Sequence, residues 1–463
     1  MNPNSKFKYL GLGLPSDIKR YKNYGDFKSA IALINRRLKL NNQPQAFQDN
    51  LLVQREIINR LPNEYKYKKE EAIERAKQYI PDFTEEEFDG LVRDRKIEWI
   101  YIQGKKYYFN RFLESVLKTN KNLLLRYKGK LIDGETVINK DIEKDLLEKV
   151  MYNMKANKKM AIKISIRASV EIKNEYFKAG ELVKVHLPIP RDCSQQSEIE
   201  IKMVRPSGAS IGFEDSEQRT IYWEEEMTSN HPFIVEYSYL STAKYNNLES
   251  IIEDEIQPDF DTNEKPPHIV FTPYIRELAR SLVGEEKSQI GKAKLIYNFI
   301  TQNVNYSYMR SYFCLDNIPE YGARNLRGDC GVMTLLFITL CRCVGIPARW
   351  ESGLIAQADF CGAHDWAKFY VSPYGWINVD LAFGEEGARE GDEEKREFYF
   401  GNIDPFRMVA NSEFQSQFAI PKKFWRADPY DNQVGEIETS KRGLQYFEFD
   451  NFKEVIDISD VSK

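Results

Sequence analysis

The stretch from Asn325 to Arg349, NLRGDCGVMTLLFITLCRCVGIPAR, leaves few folds open to this chain. From Cys330 onward it reads as a helix of about four turns whose residues are almost all apolar, so it must be buried. Gly345 is placed to end it and Pro347 forbids its continuation. Asp329 suits the N-cap, which makes Cys330 the first helical residue. At that position the unpaired N–H groups and the positive end of the helix dipole favour a thiolate over a thiol. The N–H of Cys330 is itself free to donate to an oxyanion, and Gly328 and Gly331 leave room for a substrate.

A thiolate nucleophile needs a base, and the base needs an acceptor that fixes its tautomer. The segment CGAHDWAKFYVSPYGWINVDL predicts a hairpin, with one strand from His364, a turn near SPYG and a return strand from Trp376 to Asp380. Side chains alternate along a strand, so register decides whether His364 and Asp380 meet. Pairing Val371 with Trp376 sends Asp380 to the wrong face, whereas pairing Tyr370 with Trp376 makes His364 its diagonal neighbour. Asp365 is the rival orienter, but it points to the opposite strand face and ranks below Asp380.

The rest of the chain divides by hydrophobic period. Residues 1–158 read as mostly helical and basic. In that region TEEEFDGLVRDRKI carries a Thr84–Glu87 capping box, and the β-rich EWIYIQGKKYYFN follows it, a winged-helix-like element. Residues 1–160 hold 33 Lys and Arg against 22 Asp and Glu, a surplus of +11 within a chain of net charge -4. These cations are scattered rather than striped, so a packing or protein-interaction role is favoured over nucleic acid. Near residue 160 the period changes: Ile162, Ile164, Ile166, Ala168, Val170 and Ile172 alternate strictly, and further short strands predict a β-sandwich over 159–247. His186 and His231 read as surface residues there. The acidic, proline-bearing segment NNLESIIEDEIQPDFDTNEKPPHIV is a boundary linker, and His268, which sits in it beside two prolines, offers no sign of catalysis. Residues 265–411 form a core, and 412–463 an extension that packs on it as irregular structure.

No zinc or calcium pattern is present. Cys341 and Cys343 have the wrong spacing, and GEEGAREGDEEKREF reads as a solvated loop, so neither a metal nor another cofactor is expected. Six cysteines in 463 residues, with no apolar run long enough for a bilayer and no leader-like start, point to a soluble cytoplasmic protein.

RGDCGVMTLLFITLCRCVGIPARWESG followed by HDWAKFYVSPYGWINVDLAFG resembles the core of the transglutaminase-like superfamily. The match is strong over about 60 residues and looser from Ile275 to Asn411. The resemblance implies a multidomain α+β protein with a papain-like core, its nucleophile helix packed on an antiparallel sheet. It also implies a Cys330–His364–Asp380 triad that cleaves or transfers an amide acyl group of a peptide or protein through a thioester. Hydrolysis is favoured; protein crosslinking onto an amine, or a non-catalytic binding module on an inherited fold, are the alternatives. A second oxyanion donor could come from Tyr306 or Tyr308, and Arg327 borders the expected cleft. An amine tunnel would need aromatic walls, for which Trp350, Trp366 and Trp376 are available, although each is as well explained as core.

Overall fold

A computed structural model describes residues 3–461 except 41, 130, 133, 134 and 137–139. The extreme ends of the first and last expected segments, 1–2 and 462–463, lie outside the described residues. The chain is a mixed helix-and-sheet protein with several antiparallel sheets.

Its centre is a five-stranded antiparallel sheet in the order Phe400–Gly401, Gly375–Val379, Phe360–Val371, Ala348–Gln357, Arg407–Asn411. The helix Cys330–Cys343 packs on one face. Phe337 meets Phe369 edge-on at 6.0 Å, and Ala367, Phe369 and Val371 share its buried cluster. The opposite face holds Trp366 and Val409. Gly345 ends the helix region at φ 82°, a left-handed value suited to glycine. Gly353 stands between His364 on one neighbouring strand and Val409 on the other. A Cβ there would overlap the carbonyl of Met408. Gly353→Ala is therefore expected to cost about 1–3 kcal/mol by overpacking, read as a lower midpoint in urea.

The alternation at 162–172 forms the strand Lys159–Ile172, with each of the six apolar residues buried. It belongs to a four-stranded sheet with Gln196–Arg205, Phe233–Lys244 and Phe449–Asp460. A second sheet contains Ser210–Ile211, Thr220–Met227, Glu181–Pro188 and Glu436–Thr439. The expected sandwich over 159–247 is thus completed by two strands from the last fifty residues. The C-terminal extension does not simply wrap the core as irregular chain. It also covers His186, which is buried rather than superficial: its ring stacks on Phe418 at 4.4 Å, and burial with Lys422 and Arg426 nearby pushes it well below its ordinary pKa. The acidic stretch read as a loop instead forms the helices Leu381–Glu390 and Glu393–Phe398, with Glu385 buried.

In the N-terminal region, Thr84 and Glu87 make the reciprocal capping box of the helix Glu85–Arg93. The hairpin Trp99–Ile102 and Lys105–Tyr108 turns at Gln103 and Gly104, both at positive φ. This region shares one apolar cluster with the central domain, in which Phe7, Ile57 and Tyr65 join Phe313 and Tyr430. No helix among the described residues is long and apolar enough to cross a membrane.

Candidate active site

Asp329 caps the helix as its sequence predicts: its Oδ1 accepts from Val332 N at 3.1 Å, and Cys330 follows as the first helical residue. The Tyr312 hydroxyl donates to the same oxygen. Burial pushes Asp329 up to about 6. The Cys330 thiol, half-buried, donates to Asp365 Oδ2 at 3.2 Å. Burial, then the carboxylates of Asp365 and Asp329, push the thiol well above its ordinary value. This corrects the expectation of a thiolate: the helix terminus favours the anion, but burial and two acids within reach oppose it and win.

Asp365 is itself held from the far side. Its Oδ1 accepts from Gln433 Nε2, which also donates to the His364 carbonyl at 3.2 Å. Burial and the neighbouring Asp431 and Asp329 raise the Asp365 carboxyl well above the usual range. Gly331 has no room for a side chain, because a Cβ would run into the Tyr312 hydroxyl and Asp365.

The register that the sequence demanded for the second pair is the one present. Tyr370 lies opposite Trp376, and the ladder runs on to Ala367 and Val379. His364 Nε2 and Asp380 Oδ2 are 2.7 Å apart. Asp380 also caps the helix Leu381–Glu390, its Oδ1 accepting from Ala382 N at 3.1 Å and Phe383 N at 3.0 Å. Its Oδ2 takes a further bond from Arg407 Nη1 at 2.9 Å. Burial raises such a carboxyl, yet His364 and Arg407 overcome it and hold Asp380 down at about 2. His364 is therefore fixed by a permanent carboxylate, with Phe383 edge-on at 5.3 Å.

The two halves meet along the backbone. Cys330 touches Asp365, the residue bonded to His364, but among the described residues no hydrogen bond joins the thiol to the imidazole.

Of the other residues singled out, Trp366 comes nearest to the site: it lies parallel to His364 at 6.2 Å, fully buried, its Nε1 donating to Glu351 at 3.0 Å. Trp350 packs on Phe414 at 5.1 Å in the core, and Trp376 lies under Arg349 at the hairpin turn. Arg327 is not a cleft residue. It is buried, its Nη2 donating to Ser307 Oγ at 2.6 Å and its Nη1 to the Arg95 carbonyl at 3.1 Å. Tyr306 pairs in parallel with Gly328, two residues before the cysteine. The rings of Tyr306 and Tyr308 are covered by Lys118 and Arg111 at 5.5 and 3.8 Å.

Sequence reasoning did not find Arg407, Tyr312 or Gln433. Arg407 bridges Asp380 and, through Nη2 at 2.6 Å, Asp404, so the spacing of three in DPFR was a signal. Gln433 lies in irregular chain with nothing local to mark it. Among the described residues no group of three or more His, Cys, Asp and Glu is placed to hold a metal ion.

One relative is an uncharacterised protein of Haemophilus influenzae, 26% identical over 155 residues, which are 28% of this chain and 42% of that protein. The chain thus spans less than half of that relative's length. Among solved structures, a candidate cysteine protease of Cytophaga hutchinsonii is 14% identical over 65% of this chain and 91% of its own, with a TM-score of 0.43. The periplasmic domain of TgpA from Pseudomonas aeruginosa is 12% identical over 51% and 92%, with a TM-score of 0.28. The family model of the transglutaminase-like superfamily matches residues 276–381, an interval that contains Cys330, His364 and Asp380. Residues 276–381 are a domain of the transglutaminase-like superfamily.

Proposed function

We propose that the protein is a thiol enzyme that cleaves an amide bond of a peptide or protein, with Cys330 as nucleophile, His364 as base and then acid, and Asp380 as its orienter. The observation that carries this reading is the 2.7 Å bond from His364 Nε2 to an Asp380 held anionic by Arg407. A carboxylate on Nε2 stabilises the imidazolium and leaves Nδ1 to exchange a proton with sulfur.

The reaction begins with the thiol turning from Asp365 to His364. Its proton passes to Nδ1 and the thiolate adds to the amide carbonyl. The helix N-terminus at Cys330 faces the developing oxyanion, with Tyr306 or Tyr308 as further donors. Collapse returns the proton to the departing amine and leaves a thioester, which water cleaves with His364 again as base. Hydrolysis is preferred to crosslinking, a preference supported by Trp350 and Trp376 being engaged by Phe414 and Arg349 as core and turn residues. On this reading residues 265–411 are the catalytic unit, and residues 1–158 offer the surface for a protein partner. Six unpaired cysteines suit a reducing compartment such as the cytoplasm. A binding module on an inherited fold is the second reading, favoured by the Cys330–Asp365 bond.

A fluorogenic peptide library separates the two. Cys330→Ala and His364→Ala are each expected to lower turnover of a cleaved peptide by at least about 10³-fold, while both variants keep the wild-type circular dichroism. Turnover that survives Cys330→Ala excludes the thiol mechanism.

A further inference from the structure

A cavity of about 430 Å³ lies away from Cys330, where the N-terminal helices, the hairpin and the segment before the Cys330 helix come together. That size falls among pockets for small organic ligands. Its lining is part polar and part aromatic. Lys22 comes from the helix Ser16–Tyr24, Gln54 from the helix Gln45–Glu64, Trp99 and Tyr101 from the hairpin, and Arg310 and Asp316 from the last segment.

The cations are preset. Lys22 Nζ donates to Gln54 Oε1 at 2.9 Å and stands 3.6 Å from Asp316 Oδ2. Gln54 in turn donates to Asp316 Oδ1 at 2.9 Å, so its amide and that carboxylate are already engaged. Arg310 donates through Nη1 to the Tyr65 hydroxyl at 3.0 Å and to Glu98 Oε1 at 3.1 Å, and its guanidinium lies over the Tyr321 ring at 5.5 Å. Its buried Nε has no hydrogen-bond partner among the described residues. Lys19 adds a third cation to the lining, against Asp316 as the single lining acid, with Glu98 and Glu64 behind Arg310. A guanidinium with spare donors and two ammonium groups favour an anion. In the same lining Trp99 and Tyr101 stand edge to face at 5.2 Å, with Lys106 Nζ over the Trp99 ring at 4.3 Å, an aromatic surface bordered by a further cation.

We infer that this cavity binds a small organic anion, its charged head between Lys22 and Arg310 and its flat ring against Trp99. The head is a phosphate or a carboxylate, the two being alike in what they ask of a guanidinium. The inference is independent of the chemistry at Cys330.

Isothermal titration of the full chain tests it with four probes: 1-naphthyl phosphate, 1-naphthoate, inorganic phosphate and 1-naphthol. At least one naphthyl anion is expected to bind at a single site. Inorganic phosphate and the uncharged 1-naphthol should each bind at least about tenfold more weakly, a difference of about 1.4 kcal/mol. Preference between the two naphthyl anions tells a phosphate site from a carboxylate site. Lys22→Met and Trp99→Ala should each weaken the anion by about tenfold or more, with unchanged circular dichroism. Should Trp99→Ala fail to fold, Lys22→Met and Arg310→Lys carry the same comparison. Absence of binding by either naphthyl anion, equal binding of 1-naphthol, or binding indifferent to Lys22→Met overturns the assignment.

Discussion

Asp365→Asn is expected to speed iodoacetamide labelling of Cys330 at pH 7 by about tenfold or more, the effect of lowering a thiol by one pKa unit. Asp365 Oδ2 lies 3.2 Å from the sulfur, and its charge is one of the causes that push the thiol up. Asparagine keeps the shape and an oxygen for Gln433, and removes the charge. The labelling profile should move to lower pH in the variant. Adding His364→Ala should then shift it back upward if the freed sulfur turns to the imidazole. A labelling rate that is unchanged or slower in Asp365→Asn would contradict this account of the resting thiol. Stability gives a second reading of the same charge. The Asp365 carboxyl is raised in the folded protein, so folding is favoured below its ordinary value and that advantage is lost as pH rises toward the folded value. The asparagine variant should melt at a higher temperature than wild type at pH 7, and the gap should close as pH falls toward about 4.

Asp365 also shows where alternation along a strand was read only halfway. Period two separates it correctly from His364, which faces Asp380 and Trp366. The same rule, once the helix is placed on the face of Ala367, Phe369 and Val371, puts Asp365 on the side of the cysteine. The missing step was which face the helix covers, a tertiary fact. Local signals fared better: the Asp329 and Thr84 caps, the glycine stop at Gly345, the Gln103–Gly104 turn and the buried face at 162–172 all follow from neighbours in sequence. The register at Tyr370 and Trp376 was legible only as a condition, since loop length does not choose between the two pairings. His186 fails for a different reason. Valine and leucine on either side assign it to the outer face, but Phe418 and the strand Glu436–Thr439 return from more than two hundred residues away to cover it. Gln433, 69 residues beyond His364, reaches the site from the same C-terminal segment. Contacts of that range leave no mark on the local pattern.

Arg407→Met is expected to cost about 3–5 kcal/mol of stability, the loss that follows when one partner of a buried ion pair is removed. Arg407 is 1% exposed and neutralises both Asp380, 0% exposed, and Asp404, 4% exposed. Methionine fills part of the volume and leaves two buried carboxylates facing each other, with His364 as the remaining partner of one. Urea unfolding at pH 7 measures the loss. The acid side of the stability curve gives the sign. Asp380 is depressed to about 2 in the folded protein, so its contribution is present above the ordinary carboxylate value and lost as pH falls through 2. Without Arg407 the depression shrinks, and the variant should lose its remaining stability at a higher pH than wild type. Arg407→Lys keeps the charge but cannot hold both carboxylates with a planar fork, so it should fall between the two. A methionine variant as stable as wild type would mean that Asp380 draws its charge balance from His364 alone.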